Sequence, residues 1–350
     1  MFLGIEIGGT KLQLGVGRGR TAELVELERF DVAADAGAEG ILARILAAAP
    51  PLIVKYGVER VGIGFGGPVD AAQGKVVVSH QIDGWANFPL AQWCRDKLGP
   101  PAVLGNDADL AALAEARWGA GQGRDPVFYV TIGTGIGGGL IVGGQVYRGS
   151  GVGAAEIGHL RPGLHADRAE ETIESVASGW GISSAAQAYL AGPIAHQLGA
   201  FRAGSKPLKP ELVRQHLIET EEAVEEQTAD LWRRCDGDPE RLTAKVVAEA
   251  AAEQNDLARE VLLHAWDVLG WGLAQMITLL SPAVVVIGGG VSLIGEELLF
   301  KPLRTAVNRY VFPPFLGTFE IVPARLGEEM VVHGALALAG DRSQEIGVRR

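Results

Sequence analysis

A strand that runs into a glycine turn and returns as a second strand occurs twice in this chain, and no other feature restricts its fold as much. Residues 4–16 place apolar side chains at Ile5, Ile7, Leu12, Leu14 and Val16 around the pair Gly8-Gly9, the pattern of two strands joined by a tight turn. The turn offers backbone N–H groups, the Thr10 hydroxyl and the Lys11 cation, a concave set of donors that suits phosphate oxygens. Glu6, just before it, is placed to hold a metal ion carried by those phosphates. Residues 127–148 repeat the plan: an apolar strand, the turn Gly133-Thr134-Gly135, a return strand through Leu140-Ile141-Val142, and a third strand opened by Gly143-Gly144. A third cluster, Gly288-Gly289-Gly290, closes the apolar run 283–287 and precedes a helical stretch. Neither hairpin has the helix and Gly-Lys-Ser/Thr ending of a P-loop. Strand, glycine turn and helix N-terminus together suit a nucleotide at the carboxyl end of a sheet. Three such turns imply two similar lobes with a nucleotide clamped between them.

The rest of the chain agrees with an α/β architecture. Residues 38–49 form a helix that Pro50-Pro51 is expected to stop, residues 61–65 and 103–104 are further strands, and residues 106–118 are a helix begun by an Asn-Asp cap. From Glu174 to about Leu280 the pattern is mainly helical, and its middle, 203–239, is charged and carries Pro207, Pro210 and Pro239. Residues 334–339 are apolar and are expected to pack a last helix against the first lobe. At 350 residues the chain exceeds the usual limit of one core, so two lobes are expected. A charge of −11 with no basic run argues against nucleic acid and anionic membrane as partners, and no apolar run approaches the ~20 residues of a membrane span. Cys94 and Cys235 are too few for a disulfide framework. With no basic segment ahead of Glu6 to suggest a signal peptide, the cytoplasm is the expected location.

These motifs resemble, in order and over nearly the whole chain, those of the ROK family (repressors, open reading frames and kinases) within the actin-like ATPase superfamily. Residues 4–15 are similar to its first phosphate motif, 64–70 with Gly84-Trp85 to its sugar-side loop, and Asn106-Asp107-Ala108 to its catalytic pair. Residues 133–139 are similar to its second phosphate motif, and Ile287 to Ser292 to its adenosine motif. Glu156-Ile157-Gly158-His159 and 174–179 are similar to its remaining sugar contacts. The resemblance implies a two-lobed fold of ribonuclease H-like halves with a nucleotide and sugar cleft between them. Residues 1–106, with a C-terminal helix at about 331–350, would make the small lobe. Residues 107–330 would make the large one, carrying a helical insertion at about 203–239.

The implied activity is an ATP-dependent sugar kinase that moves the γ-phosphoryl group of ATP to a hexose hydroxyl, with glucose at the 6-position the leading substrate. Fructose, mannose and N-acetylhexosamines are alternatives within that class, and a non-catalytic sugar-responsive regulator or sensor is the alternative of another class. A DNA-binding repressor is disfavoured by the acidic charge and by a first phosphate motif that starts at Gly4. By resemblance Asp107 is the general base, and Gly67, Asn106, Asp107, Glu156, His159 and Glu174 contact the sugar. His80 or Gln81 would add one further contact. ATP would lie on Glu6, Gly8, Gly9, Thr10 and Lys11, on Gly133, Thr134, Gly135 and Gly137, and on Gly288, Gly289 and Gly290, bringing Mg2+ with it. On the residues alone, Asn106-Asp107 also reads as a plain helix cap, His159 as a structural histidine, Glu174 as a solvated helix residue and Trp85 as a packing residue. Family analogy adds a homodimer.

Three departures bear on this expectation. Glu6 stands where the family usually has Asp, one methylene further from the backbone. Gly66 stands where a proline is common. The family's Cys-x-Cys…Cys zinc cluster is missing between His159 and Glu174, which hold no cysteine, so no structural zinc is expected.

Overall fold

The computed structural model describes residues 1–79, 82–150, 153–163, 170–191 and 224–341. Two five-stranded sheets have the same topology. In the first, β1 (Phe2–Ile7), β2 (Lys11–Gly17) and β3 (Leu24–Asp31) form an antiparallel meander, and β4 (Arg60–Phe65) and β7 (Ala102–Asn106) add in parallel on the other side of β1, giving the order 3-2-1-4-7. A small hairpin, β5 (Val69–Asp70) and β6 (Lys75–Val76), branches from the loop after β4. In the second sheet, β8 (Val127–Ile132), β9 (Ile136–Val142) and β10 (Gln145–Val146) are the meander, and β11 (Val284–Gly288) and β12 (Glu320–Pro323) add in parallel, giving 10-9-8-11-12. Leu3, Ile5, Val61 and Ile63 of the first sheet and Val130, Val285 and Ile287 of the second are fully buried, so helices cover both faces and period-2 alternation gives way to continuous apolar runs.

The helices are α1 (Gly37–Tyr56), α2 (Leu90–Leu98), α3 (Asp107–Trp118), α4 (Ile173–Ala177), α5 (Gly179–Ala191), α6 (residues 224–234), α7 (Ala244–Ala252), α8 (Asp256–Leu280), α9 (Lys301–Tyr310) and α10 (Met330–Gly340). The helix α1 corrects the expected stop at Pro50-Pro51, because it runs through both prolines and ends at Gly57 in the left-handed region. The buried positions Ala38, Ile41, Ile45, Ala49 and Leu52 keep one face over the prolines. Continued burial there outweighs the roughly 3 kcal/mol that an interior proline costs. The glycine cluster after β11 is followed by a short turn, Gly290–Ile294, and regular α-helix resumes only at Lys301, because Gly289 and Gly295 both have positive φ (87° and 90°). Of the expected insertion, 224–234 is helical and Pro239–Arg241 is one 3-10 turn. Its residues 203–223 lie outside the described ones, as do His80, Gln81, 164–169 and the tail from 342.

Two helices exchange sheets. The helix α3 follows the last strand of the first sheet but packs on β8 and β9, while α10 follows the second sheet and packs on β1 and β4. They meet so closely that a Cβ on Gly334 would overlap the Leu110 carbonyl, and α10 lies so close on β4 that a Cβ on Gly62 would overlap the Ala335 carbonyl. The last helix therefore docks on the first sheet, as the apolar run 334–339 suggested.

Candidate active site

Pairing register aligns the carboxyl ends of the first sheet: Ile7 lies opposite Phe65, and Phe65 opposite Asn106. Three loops therefore leave one edge together. The first is the Gly8–Lys11 turn, closed by the Gly8 N–H donating to the Lys11 carbonyl at 2.9 Å. The second holds Gly66 and Gly67, with the Gly66 N–H on the Ile7 carbonyl at 2.8 Å. The third is the start of α3. Asn106 caps that helix through Oδ1, which accepts from the Ala108 and Asp109 N–H groups, while its Nδ2 donates to the Gly67 carbonyl at 3.1 Å. Capping takes up Asn106, and Asp107 keeps Oδ2 directed at Gly66, where an added Cβ would sit 3.3 Å away. Trp85 is a packing residue, 1% exposed and in edge contact with Phe65 and Phe88.

The second sheet ends alike. Gly288 pairs with Thr131, and the Gly133–Gly135 turn closes through the Gly133 N–H on the Gly135 carbonyl at 2.9 Å. Gly289 packs so tightly on the Ile132 backbone that no side chain fits there, whereas nothing crowds Gly290. Glu174 is no merely solvated helix residue: its Oε2 accepts the Ile136 N–H at 2.7 Å and lies against Gly135. Glu156 and His159 sit at either end of one short turn, Ile157–His159, and both are open to solvent.

Charge links these groups. Burial pushes the Asp107 carboxyl up to about 6, opposed by the Ala108 N–H and by Lys11 and aided by the charge of Glu156. Partial loss of water around the exposed Glu156 also raises its carboxyl, with His159 opposing and Glu174 adding. Glu6, 5% exposed, is pushed by burial up to about 7 although Lys11 Nζ lies 3.1 Å from Oε1, and the Asp107 charge contributes to that rise. Lys11 Nζ also donates to the Glu328 carbonyl, which ties the first turn to the segment before α10.

Sequence reasoning missed three members of this neighbourhood. Gln13, 1% exposed, donates to Glu6 Oε2 at 3.2 Å, and its register position opposite Glu6 across the hairpin was the available signal. Asp109 is 7% exposed and is pushed by burial up to about 7, with the Arg148 guanidinium opposing. Arg148 Nε and Nη2 are buried and have no hydrogen-bond partner among the described residues. A hollow of about 680 Å³ lined by Arg20, Arg117 and Trp118 lies at the other end of α3 from Asp107. That 12-residue helix is about 18 Å long, so the hollow is a different place from the charged cluster.

The ROK family pattern matches residues 2–342. A glucokinase of Thermotoga maritima is 31% identical over 344 residues, which is 97% of this chain and 98% of that protein. A solved ROK family glucokinase from Streptomyces griseus, in complex with glucose and AMPPNP, has a TM-score of 0.74 at 31% identity, over 97% of this chain and 98% of that one. A ROK hexokinase from Thermus thermophilus has a TM-score of 0.73 at 27% identity over 97% of each chain. The duplicated sheets are the two lobes of the actin-like ATPase fold, and with this match along nearly its whole length the chain belongs to the ROK family.

Proposed function

We propose that this protein is an ATP-dependent hexose kinase that phosphorylates glucose on its 6-hydroxyl. The observation that carries the reading is Asp107, an enclosed carboxylate held near pKa 6 at the sheet edge between a phosphate-shaped turn and the Gly66–Gly67 loop. That is a base poised to take a hydroxyl proton at neutral pH. As the proton passes to Asp107, the hydroxyl oxygen bonds to the γ-phosphorus, the bond from that phosphorus to the β,γ-bridging oxygen breaks, and ADP leaves. Asn106, Gly67, Glu156, His159 and Glu174 orient the sugar in this reading. The backbones of Gly8, Gly9, Gly133, Gly135 and Gly137, with Thr10, Thr134 and Lys11, receive the phosphates, and Gly288 to Gly290 border the adenosine.

Mg2+ fits the residues present. The negative charge of Asp107 adds to the rise of Glu6, which a divalent cation would offset, and Mg2+ usually needs only one or two carboxylates beside its phosphates and waters. When bound, the ion neutralises phosphate charge. The lobes that close over the substrates are residues 1–106 with α10, and residues 107–330, a division supported by α10 lying on β1 and β4. The test is an ADP-release assay across glucose, fructose, mannose and N-acetylhexosamines, with and without Mg2+. Glucose is expected to give the highest kcat/KM. Glucose binding without ADP release would instead indicate a sensor.

A further inference from the structure

One aromatic side chain borders the second glycine turn and has no place in the reading above. Trp180 is 44% exposed, whereas Trp85 and Trp266 are 1% exposed, and it is the one tryptophan of seven in the exposed class. Its backbone is pinned. The Gly179 N–H donates to the Gly133 carbonyl at 2.8 Å, and the Trp180 N–H to the Thr134 carbonyl at 3.4 Å. A Cβ on Gly179 would stand only 2.7 Å from the Gly133 oxygen, so α5 begins in direct contact with the turn. On the neighbouring strand end, Gly289 touches the backbone of Ile132, the residue before that same turn, and the space around Gly290 is open. Leu293, in the turn that Gly290 begins, is 83% exposed. Both α5 and that turn also pack on α7. The carboxyl edge of the second sheet thus combines a polar turn, which can take phosphates, with exposed apolar side chains from two adjoining elements.

We propose that Trp180 is a nucleotide-binding residue: its indole is the apolar wall on which the nucleoside half of ATP rests, while the adjoining turn takes the phosphates. An exposed indole beside a phosphate-binding turn suits a flat base, because stacking covers apolar area on both partners. The sugar has its contacts in that reading at Gly67, Asn106, Asp107, Glu156, His159 and Glu174, a set that does not include Trp180. The inference rests on the kinase reading.

The test compares nucleotide with a base-free analogue. Trp180→Ala is expected to raise the KM for ATP roughly tenfold, the loss of one stacked base, with kcat and the KM for glucose little changed. Trp180→Phe, which keeps a flat ring, restores most of the loss, and Trp180→Leu, which keeps apolar bulk alone, does not; this pair decides the matter should the alanine variant fold poorly. Inorganic tripolyphosphate has no base and is expected to inhibit wild type and variants equally. An unchanged KM for ATP, or an equal weakening of tripolyphosphate, overturns the assignment, the latter because Trp180 would then act through the turn. A wild-type protein that turns over no sugar with ATP would overturn the kinase reading itself.

Discussion

Asp107 combines two demands that pull on its pKa in opposite directions. Burial raises it, while the Ala108 N–H and Lys11 lower it, and the balance near 6 leaves the group ionised at neutral pH yet basic enough to accept a proton. Asp107→Asn keeps the shape and the helix start but removes the base. Turnover is expected to fall by roughly 10²–10⁴-fold with glucose binding retained, which calorimetric titration alongside the ADP assay would show. Near-normal turnover would remove Asp107 from the mechanism. The same shift sets the sign of a stability effect. The half-buried carboxylate carries no penalty below the unfolded value near 3.8 and the full penalty above about 6, so Asp107→Asn should raise Tm relative to wild type at pH 8 and leave it unchanged at pH 3.5. Glu6 is a different case, because Lys11 and Gln13 already hold its two oxygens. Glu6→Gln is expected to raise the Mg2+ and ATP requirement and spare the KM for glucose, with Glu6→Asp the milder change. A wild-type Mg2+ titration curve for Glu6→Gln would make Glu6 purely structural. These residues were legible in the sequence because each belongs to a local turn or cap. Gln13 was signalled only by its register opposite Glu6 in the first hairpin, and Asp109 and Arg148 were not legible, because their pairing joins a helix to a distant loop.

At the scale of elements, the close crossing of α3 and α10 matters most. Gly334 lies against the Leu110 backbone, and no rotamer change can make room where the obstacle is a carbonyl. Gly334→Val is therefore expected to destabilise by about 3 kcal/mol or more, at the overpacked end of core substitutions, read as a lower urea midpoint. Activity per folded molecule should fall as well, since the segment before α10 is bonded to Lys11. A midpoint within experimental error of wild type would show that the two helices can separate freely. The prolines of α1 teach the opposite lesson about local rules. Pro50 and Pro51 each disfavour the helix, yet apolar positions on one face before and after them keep it going. A proline is a local signal and burial a tertiary one, and here the tertiary term is larger.

The whole molecule repeats one sheet plan twice and exchanges the helices α3 and α10 between the copies, so each sheet is covered in part by a helix that follows the other. Asp107 follows the last strand of the first sheet and so stands beside the first phosphate turn, while the helix it begins lies on the second sheet. Metal dependence belongs to this scale too. The chain's two cysteines, Cys94 and Cys235, are buried in different cores and distant from His159 in sequence, and we expect Mg2+ to be the only metal required. EDTA should abolish activity, Mg2+ alone should restore it, and elemental analysis should find no stoichiometric zinc. Loss of fold on removal of a zinc ion would refute this. What the sequence determined by itself was the pair of glycine hairpins, the strand-to-cap step at Asn106-Asp107 and the two-lobed α/β plan, because apolar period, turn residues and caps act over a few neighbours. Only the tertiary structure decided which strand ends stand in register, that α1 survives its prolines, that Glu174 accepts the Ile136 N–H beside the second turn, and how far burial moves Glu6 and Asp107. Those outcomes depend on packing and dielectric surroundings assembled mostly from residues tens of positions or more apart, and no local turn or cap encodes them.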